Sequence, residues 1–241
     1  MTTVFIHGVP DTAHVWSRLR TEVGRGDAVT LSLPGFGCAC PPGFTATKGD
    51  YLTWLIAAIE AVPAPRDLVA HDWGSILMMR VLCVRPDLVR SWVGGGAPFT
   101  FDYTWHPTAR LWQTPGAGEK AMDRLSPDLA VDMLKRAGLS DADARETAAC
   151  IDAPMKACIL SLYRSGRDVF REWGSGLARV SAPGLVVWGG GDIYADARYG
   201  AEIGKITGAQ SVTLDCGHWW QLERPAEAGS LIRALWREAG F

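Results

Sequence analysis

The chain has 241 residues, 48% of them hydrophobic, and a formal net charge of −2. That is enough apolar chain for one well-cored domain with room for an inserted lobe. A near-neutral charge without a basic cluster excludes nucleic acid and an anionic membrane as partners, and no apolar run is long enough to span a bilayer. The start, Met-Thr-Thr-Val-Phe-Ile-His-Gly, lacks the basic head and sustained apolar core of a signal peptide, so a cytoplasmic setting is expected. Six cysteines in a chain this long do not read as a disulfide framework, and no His or Cys stands at a zinc-site spacing from Cys38 and Cys40. Free thiols, no metal and no cofactor are the expectation. Eleven tryptophans suit an aromatic-walled pocket, and equally a plain core.

A first strand over Thr3–Ile6 ends in His7-Gly8-Val9-Pro10, where Gly and Pro mark a loop of fixed geometry. Asp11 or Thr12 can cap the next helix, whose Val15, Trp16, Leu19 and Val23 share a face. A second strand, Ala28–Leu33, is broken by Pro34-Gly35-Phe36-Gly37. Leu52, Leu55, Ile56 and Ile59 then give helical spacing to the stretch Asp50–Val62. A third strand through Leu68, Val69 and Ala70 leads to Asp72, followed by a breaker-free run, Ser75–Val84, that suits a buried helix. Three more strands follow: Val89–Gly94, Leu185–Trp188 ending in Gly189-Gly-Gly-Asp192, and Ser211–Leu214 ending in Asp215-Cys-Gly-His218. A last helix begins near Pro225 and buries Leu231, Ile232, Leu235 and Trp236. Strands alternating with amphipathic helices predict an α/β fold with a mainly parallel sheet of six strands. One interval breaks the rhythm: helices are predicted near Glu119–Leu125, Pro127–Ala137, Asp141–Cys150, Pro154–Ser165 and Asp168–Trp173, without a strand. This reads as a helical cap over 97–182, inserted into a core of 1–96 and 183–241.

The chemistry centres on Ala70-His71-Asp72-Trp73-Gly74. A strand turning sharply into a helix brings backbones too close for large side chains two residues either side of the apex, and it holds the apex side chain above the sheet. Asp72 fits that apex; Ser75 does not, because Trp73 and Leu77 flank it. The turn alone leaves Asp72 as nucleophile or as helix N-cap. In a parallel sheet, however, ligands gather beyond the carboxyl ends of the strands, and His7-Gly8, Asp72, Asp192 and His218 each follow such an end. Nucleophile, acid and His also stand in the chain order of one known architecture.

These stretches, with Trp188-Gly-Gly-Gly-Asp192, Cys216-Gly-His-Trp-Trp-Gln221 and, more weakly, Gln113-Thr-Pro-Gly116 and Leu162-Tyr-Arg164, span nearly the whole chain. The chain resembles the α/β-hydrolases with an Asp nucleophile, epoxide hydrolases and haloalkane or haloacid dehalogenases, and most of all the soluble epoxide hydrolases. The resemblance implies that Asp72 attacks an sp3 carbon of a small hydrophobic or semi-polar substrate and forms an alkyl ester. His218, oriented by Asp192, would deprotonate the co-substrate water that hydrolyses it. It further implies an oxyanion hole from the N–H groups of Val9 and Trp73, and a pocket lined by His7, Pro10, His71, Trp105 and Trp219. Tyr163 matches one of two cap tyrosines that donate to an epoxide oxygen in the family. The other falls near Thr108, where no tyrosine stands and Tyr103, Trp105 and His106 are the nearby candidates.

There is a second departure. The family usually carries two strands before the His-Gly-X-Pro strand, which here begins at the third residue, leaving a sheet edge that a homodimer could shield. Epoxide opening to a diol is the leading expectation. Halide displacement by the same triad, with a His-Trp-Tyr halide cradle as in defluorinating enzymes, is the alternative. Ligand binding without catalysis is a third, which the complete triad argues against.

Overall fold

Short runs, the inner four largely apolar and buried on both faces and the two at the edges more exposed, become the strands of one sheet. They are β1 (Thr2–Ile6), β2 (Ala28–Leu31), β3 (Arg66–Ala70), β4 (Ser91–Gly94), β5 (Gly184–Gly189) and β6 (Gln210–Leu214). The computed structural model describes residues 1–100 and 102–240; Phe101, inside the predicted cap, and Phe241 lie outside the described residues. All five pairings are parallel, in the order β2-β1-β3-β4-β5-β6. The register matches Ile6 with Ala70, Val69 with Val93, Gly94 with Val186 and Gly189 with Leu214, so the strands end along one rim. The chain leaves β1 for β2 on one side and returns to β3 on the other. The crevice of this switch point therefore opens between the loops after β1 and β3.

Alternate residues of each strand feed two cores. Val4, Ile6, Leu68, Ala70, Val186 and Trp188 face one side; Phe5, Val69, Val93, Leu185 and Val187 face the other. β2 stops two residues short of the predicted Leu33, because the Leu33 N–H turns away to donate to His7 Nε2. β4 begins two residues late, because the Val89 N–H closes a short 3-10 turn onto the Pro86 carbonyl. The helix predicted after Pro10 opens as a 3-10 turn, Ala13–Trp16, and neither expected cap operates: Thr12 makes no side-chain capping bond and Asp11 is turned inward.

Between β4 and β5 the described residues form helices and no strand. Ser126, Ser140 and Asp152 start three of them by accepting the N–H groups of Leu129, Asp143 and Met155. Three α-helices were not anticipated, Pro107–Gln113, Arg198–Thr207 and the single turn Trp220–Glu223. The first is capped by His106 Nδ1, a residue type that gives no cap signal in sequence. These helices share the sheet's cores. Ala130, Leu134 and Ala144 join one face, and Met155, Ile159, Leu162 and Tyr163 the other. The helix-only interval supports the division into a core of 1–96 and 183–241 and a cap of 97–182, which we keep as a proposal. No helix among the described residues is long and apolar enough to cross a membrane.

Candidate active site

The β3-to-helix turn has the strained geometry its sequence pattern implied. Asp72 sits at φ 50°, ψ −127°, a region that costs a non-glycine residue about 1–3 kcal/mol. At Gly74 a Cβ would lie 2.4 Å from the Ile6 carbonyl oxygen and 2.5 Å from that of His7, so only glycine lets the helix start this close to β1. Asp72 occupies the N-cap position of helix Trp73–Val84, but its side chain makes no capping bond. Instead Oδ1 accepts the Val9 N–H at 2.7 Å, and the Trp73 N–H also reaches the carboxylate. The two N–H groups named for the oxyanion hole thus already converge on the Asp72 carboxyl group.

The other side of the site comes from β5 and β6. At Gly189 a Cβ would stand 1.7 Å from the Gly217 carbonyl oxygen, and this close crossing brings the His218 loop against the Asp192 loop. His218 Nδ1–H donates to Asp192 Oδ2 at 2.8 Å. The remaining Asp192 oxygen accepts the N–H groups of Tyr194 and Ala195. The other ring nitrogen, Nε2, lies 3.9 Å from Asp72 Oδ2, room for a small reacting group to enter. Burial raises the Asp72 carboxyl pKa, and the His218 and His71 rings and the two N–H groups pull it back only in part. Burial alone would lower the His218 pKa, but the carboxylates of Asp192, Asp72 and Asp11 carry it up to about 9. Asp192 is pulled below the usual carboxylate range: burial opposes this, and the His218 charge and its hydrogen bond prevail.

Two hollows meet at Asp72. One is lined by Val9, Pro10, His106, Thr108, Trp112, Met133, Tyr163, Tyr194, His218 and Trp219. The other is lined by Ile76, Gly96, Ala97, Pro98, Tyr103, Trp105, His106, Tyr163, Tyr194 and Ala195. Pro10, Trp105 and Trp219 therefore stand where they were expected. His7 and His71 do not. His7 is fully buried, donates from Nδ1 to the Gly8 carbonyl and accepts the Leu33 N–H at Nε2, which locks the β1 loop to the segment after β2. His71 is also fully buried, and its Nε2–H donates to the His218 carbonyl at 2.9 Å. Both brace the site from behind, because the sharp elbow points only its apex side chain into the crevice.

Tyr163 packs among Trp73, Trp105 and Trp112 and lines both hollows; burial drives its pKa well up and keeps the phenol protonated. The Trp73 indole N–H has no partner in hydrogen-bonding geometry, although the Tyr163 oxygen feels it. Sequence reasoning missed Tyr194. It lines both hollows two residues after Asp192, with its ring edge 4.9 Å from the His218 ring centre to centre. The Tyr103 hydroxyl donates to its carbonyl and fixes it there. His106 accepts the Ala109 N–H at Nδ1, and burial lowers its pKa to about 4, so its ring is neutral with the proton on Nε2.

A model of the alpha/beta hydrolase family matches residues 3–228. Over 130 residues the chain is 32% identical to a haloalkane dehalogenase of Mesorhizobium japonicum, covering 49% of this chain and 42% of that protein. Over 104 residues it is 30% identical to an epoxide hydrolase of Caballeronia sordidicola, covering 40% of this chain and 31% of that protein. The matched stretches span less than half the length of these relatives. A haloalkane dehalogenase from Bradyrhizobium elkani has a similar structure, with a TM-score of 0.80 over 98% of this chain and 91% of that chain, at 22% identity. That last likeness speaks to fold alone. The family model, by contrast, runs from β1 into the final helix and takes in the elbow, the Asp192 loop and the His218 loop. The chain belongs to the alpha/beta hydrolase family.

Proposed function

We propose that this hydrolase opens an epoxide to a vicinal diol through an ester on Asp72. The Asp72 carboxylate attacks an epoxide carbon, the carbon–oxygen bond breaks, and the leaving oxygen takes a proton at the phenol of Tyr163. Water, deprotonated by His218, then attacks the ester carbonyl, and the N–H groups of Val9 and Trp73 hold the oxyanion. On its collapse the ester carbon–oxygen bond breaks, the departing diol oxygen takes the proton from His218, and the Asp72 carboxylate is restored. One observation carries the preference for an epoxide: two phenols, Tyr163 and Tyr194, share the Asp72 chamber. An alkoxide leaving group needs such donors, and a halide does not. Tyr194 supplies from the core loop what the cap lacks near Thr108.

Halide displacement remains the second reading. It is favoured by the free indole N–H of Trp73 and by relatives that carry the name haloalkane dehalogenase. Against it, the Trp105 indole N–H is taken by the Arg167 carbonyl and that of Trp219 by Asp11, so neither indole is free to serve as the Trp of a His-Trp-Tyr cradle. No Lys or Arg lines either hollow among the described residues, which favours a neutral substrate over a haloacid. A neighbouring apolar hollow, reached past Pro10, Trp112, Met133 and Tyr194, suits an apolar substituent. The decisive assay is a panel of epoxides, haloalkanes and haloacids with diol and halide measured side by side. On epoxides Tyr163→Phe should lose about 2–4 kcal/mol of barrier lowering, roughly 10²–10³-fold in rate. Its effect on halide release should be small. Halide release without diol would transfer the function to the second reading.

The proposal also fixes a pH dependence. His218 must be neutral to act as base, yet the resting site holds its proton up to about 9. Esterification removes the Asp72 charge, one of the carboxylates that raise it, so the His218 pKa falls when the base is needed. The proton lost from His218 restores the one that the Tyr163 phenol gave to the leaving oxygen, so the first step is balanced overall. Ester hydrolysis should therefore rise with pH and level off below 9, while at low pH the ester accumulates. Quenched-flow mass measurement of ester decay across pH tests this; decay that is flat with pH would count against His218 as base.

A further inference from the structure

Behind His218 lies a buried carboxylate that the mechanism above does not use. Asp11 is 1% exposed, and among the described residues neither Lys nor Arg pairs with it. A charge so placed is costly unless its surroundings are arranged to hold it. The Trp219 indole N–H reaches both its oxygens, at 3.0 and 3.1 Å. His71 Nδ1 lies 3.8 Å from Oδ2 and is buried with no hydrogen-bond partner of its own. The other His71 nitrogen is 2.9 Å from the His218 carbonyl, which can only accept, so the Nε2 proton is assigned. This carboxylate thus holds the Trp219 ring beside the proposed base by a hydrogen bond, while the His71 ring stands 3.8 Å from it without one. Trp219 follows His218 in the chain and stands edge-on to its ring at 4.8 Å; the His71 and His218 ring centres are 4.5 Å apart. Asp11 itself sits in the β1 loop, two residues after Val9, and so joins that loop to the elbow and to the His218 loop.

We infer that Asp11 is a positioning residue for the second half of the reaction, holding His218 where it can take a proton from water by way of the Trp219 ring that follows it in the chain. The inference rests on the proposed ester mechanism. It adds a selectivity that mechanism does not contain: attack by Asp72 on carbon does not use the His218 base, whereas hydrolysis of the ester does. Loss of Asp11 should therefore slow only the second step. Misplacement of a catalytic group by about 1 Å costs on the order of 10²-fold, which sets the scale.

The test is single-turnover kinetics with intact-mass detection of the ester, on the full chain with an epoxide that the wild type turns over. Asp11→Asn keeps the shape and an oxygen for Trp219 but removes the charge. It is expected to form the ester and to hydrolyse it about 10- to 100-fold more slowly. Trp219→Phe keeps a ring and removes the donor, and it is expected to accumulate ester in the same way; it stands in if the Asp11 variant does not fold. Asp11→Glu, which restores the charge, should recover part of the hydrolysis rate. Ester decay at the wild-type rate in a folded Asp11→Asn variant overturns the inference. So does equal slowing of both steps, which marks a merely structural residue. Absence of ester even in His218→Phe overturns the ester mechanism itself, a result distinguishable from either.

Discussion

His218→Phe is expected to convert the enzyme into a single-use alkylation reagent: one equivalent of substrate adds, and the ester stays on the peptide that contains Asp72. The expectation follows from a division of labour visible in the geometry. The Asp72 carboxylate is presented by the elbow and by the Val9 and Trp73 N–H groups, none of which depends on the His218 ring. His218 Nε2 lies 3.9 Å from Asp72 Oδ2 and, in the proposed mechanism, is called upon only when water must be deprotonated. Turnover should fall by about 10⁴-fold or more, the scale on which removal of one member of such a catalytic unit acts. Asp72→Ala should lose turnover to at least the same degree and show no adduct, since the atom that bonds to carbon is gone. Intact mass and peptide mapping after mixing with an epoxide check both. An Asp72→Ala variant with residual turnover near wild type would remove the carboxylate from the mechanism altogether.

Asp192→Asn ranks next, with an expected loss of about 10³–10⁴-fold in turnover and an unchanged fold. The Asp192 side chain is 1% exposed, and one oxygen is fixed by the Tyr194 and Ala195 N–H groups while the other accepts from His218 Nδ1. An amide in its place can turn its NH2 toward the ring, which selects the tautomer with the proton on Nε2 and leaves no lone pair for water. It also removes the charge that stabilises the imidazolium as it forms. Because Asp192 is ionised well below neutrality through its pairing with His218, wild-type activity should not lose this contact until the medium is strongly acidic. Nδ1 of His218 is taken by Asp192, so Asp215, three residues before His218, should be replaceable by Asn with little effect. Near-normal turnover in Asp192→Asn would pass the orienting role to another carboxylate.

Local pattern sufficed for the strands, for the elbow and for the chain order of Asp72, Asp192 and His218. Each depends on neighbours in sequence: a buried parallel strand is a continuous apolar run, and an elbow demands small residues at fixed offsets, as Ala70 and Gly74 supply. The Ser126, Ser140 and Asp152 caps were equally local. Side-chain direction was not. His7 and His71 stand beside loop residues that do line the site, yet both rings turn inward, because their partners are the Leu33 N–H and the His218 carbonyl, distant in sequence. Asp11 had the composition of a helix cap and became a buried anchor for Trp219, 208 residues away. Tyr194 was hidden for the opposite reason: nothing in its own surroundings marks it, and only the folding of the Asp192 loop against His218 carries it into the chamber with Tyr163. A chain specifies its local turns through steric contacts a few residues apart. Which polar atom faces a cavity is decided by hydrogen-bond partners that become neighbours only when β1, β3, β5 and β6 end side by side.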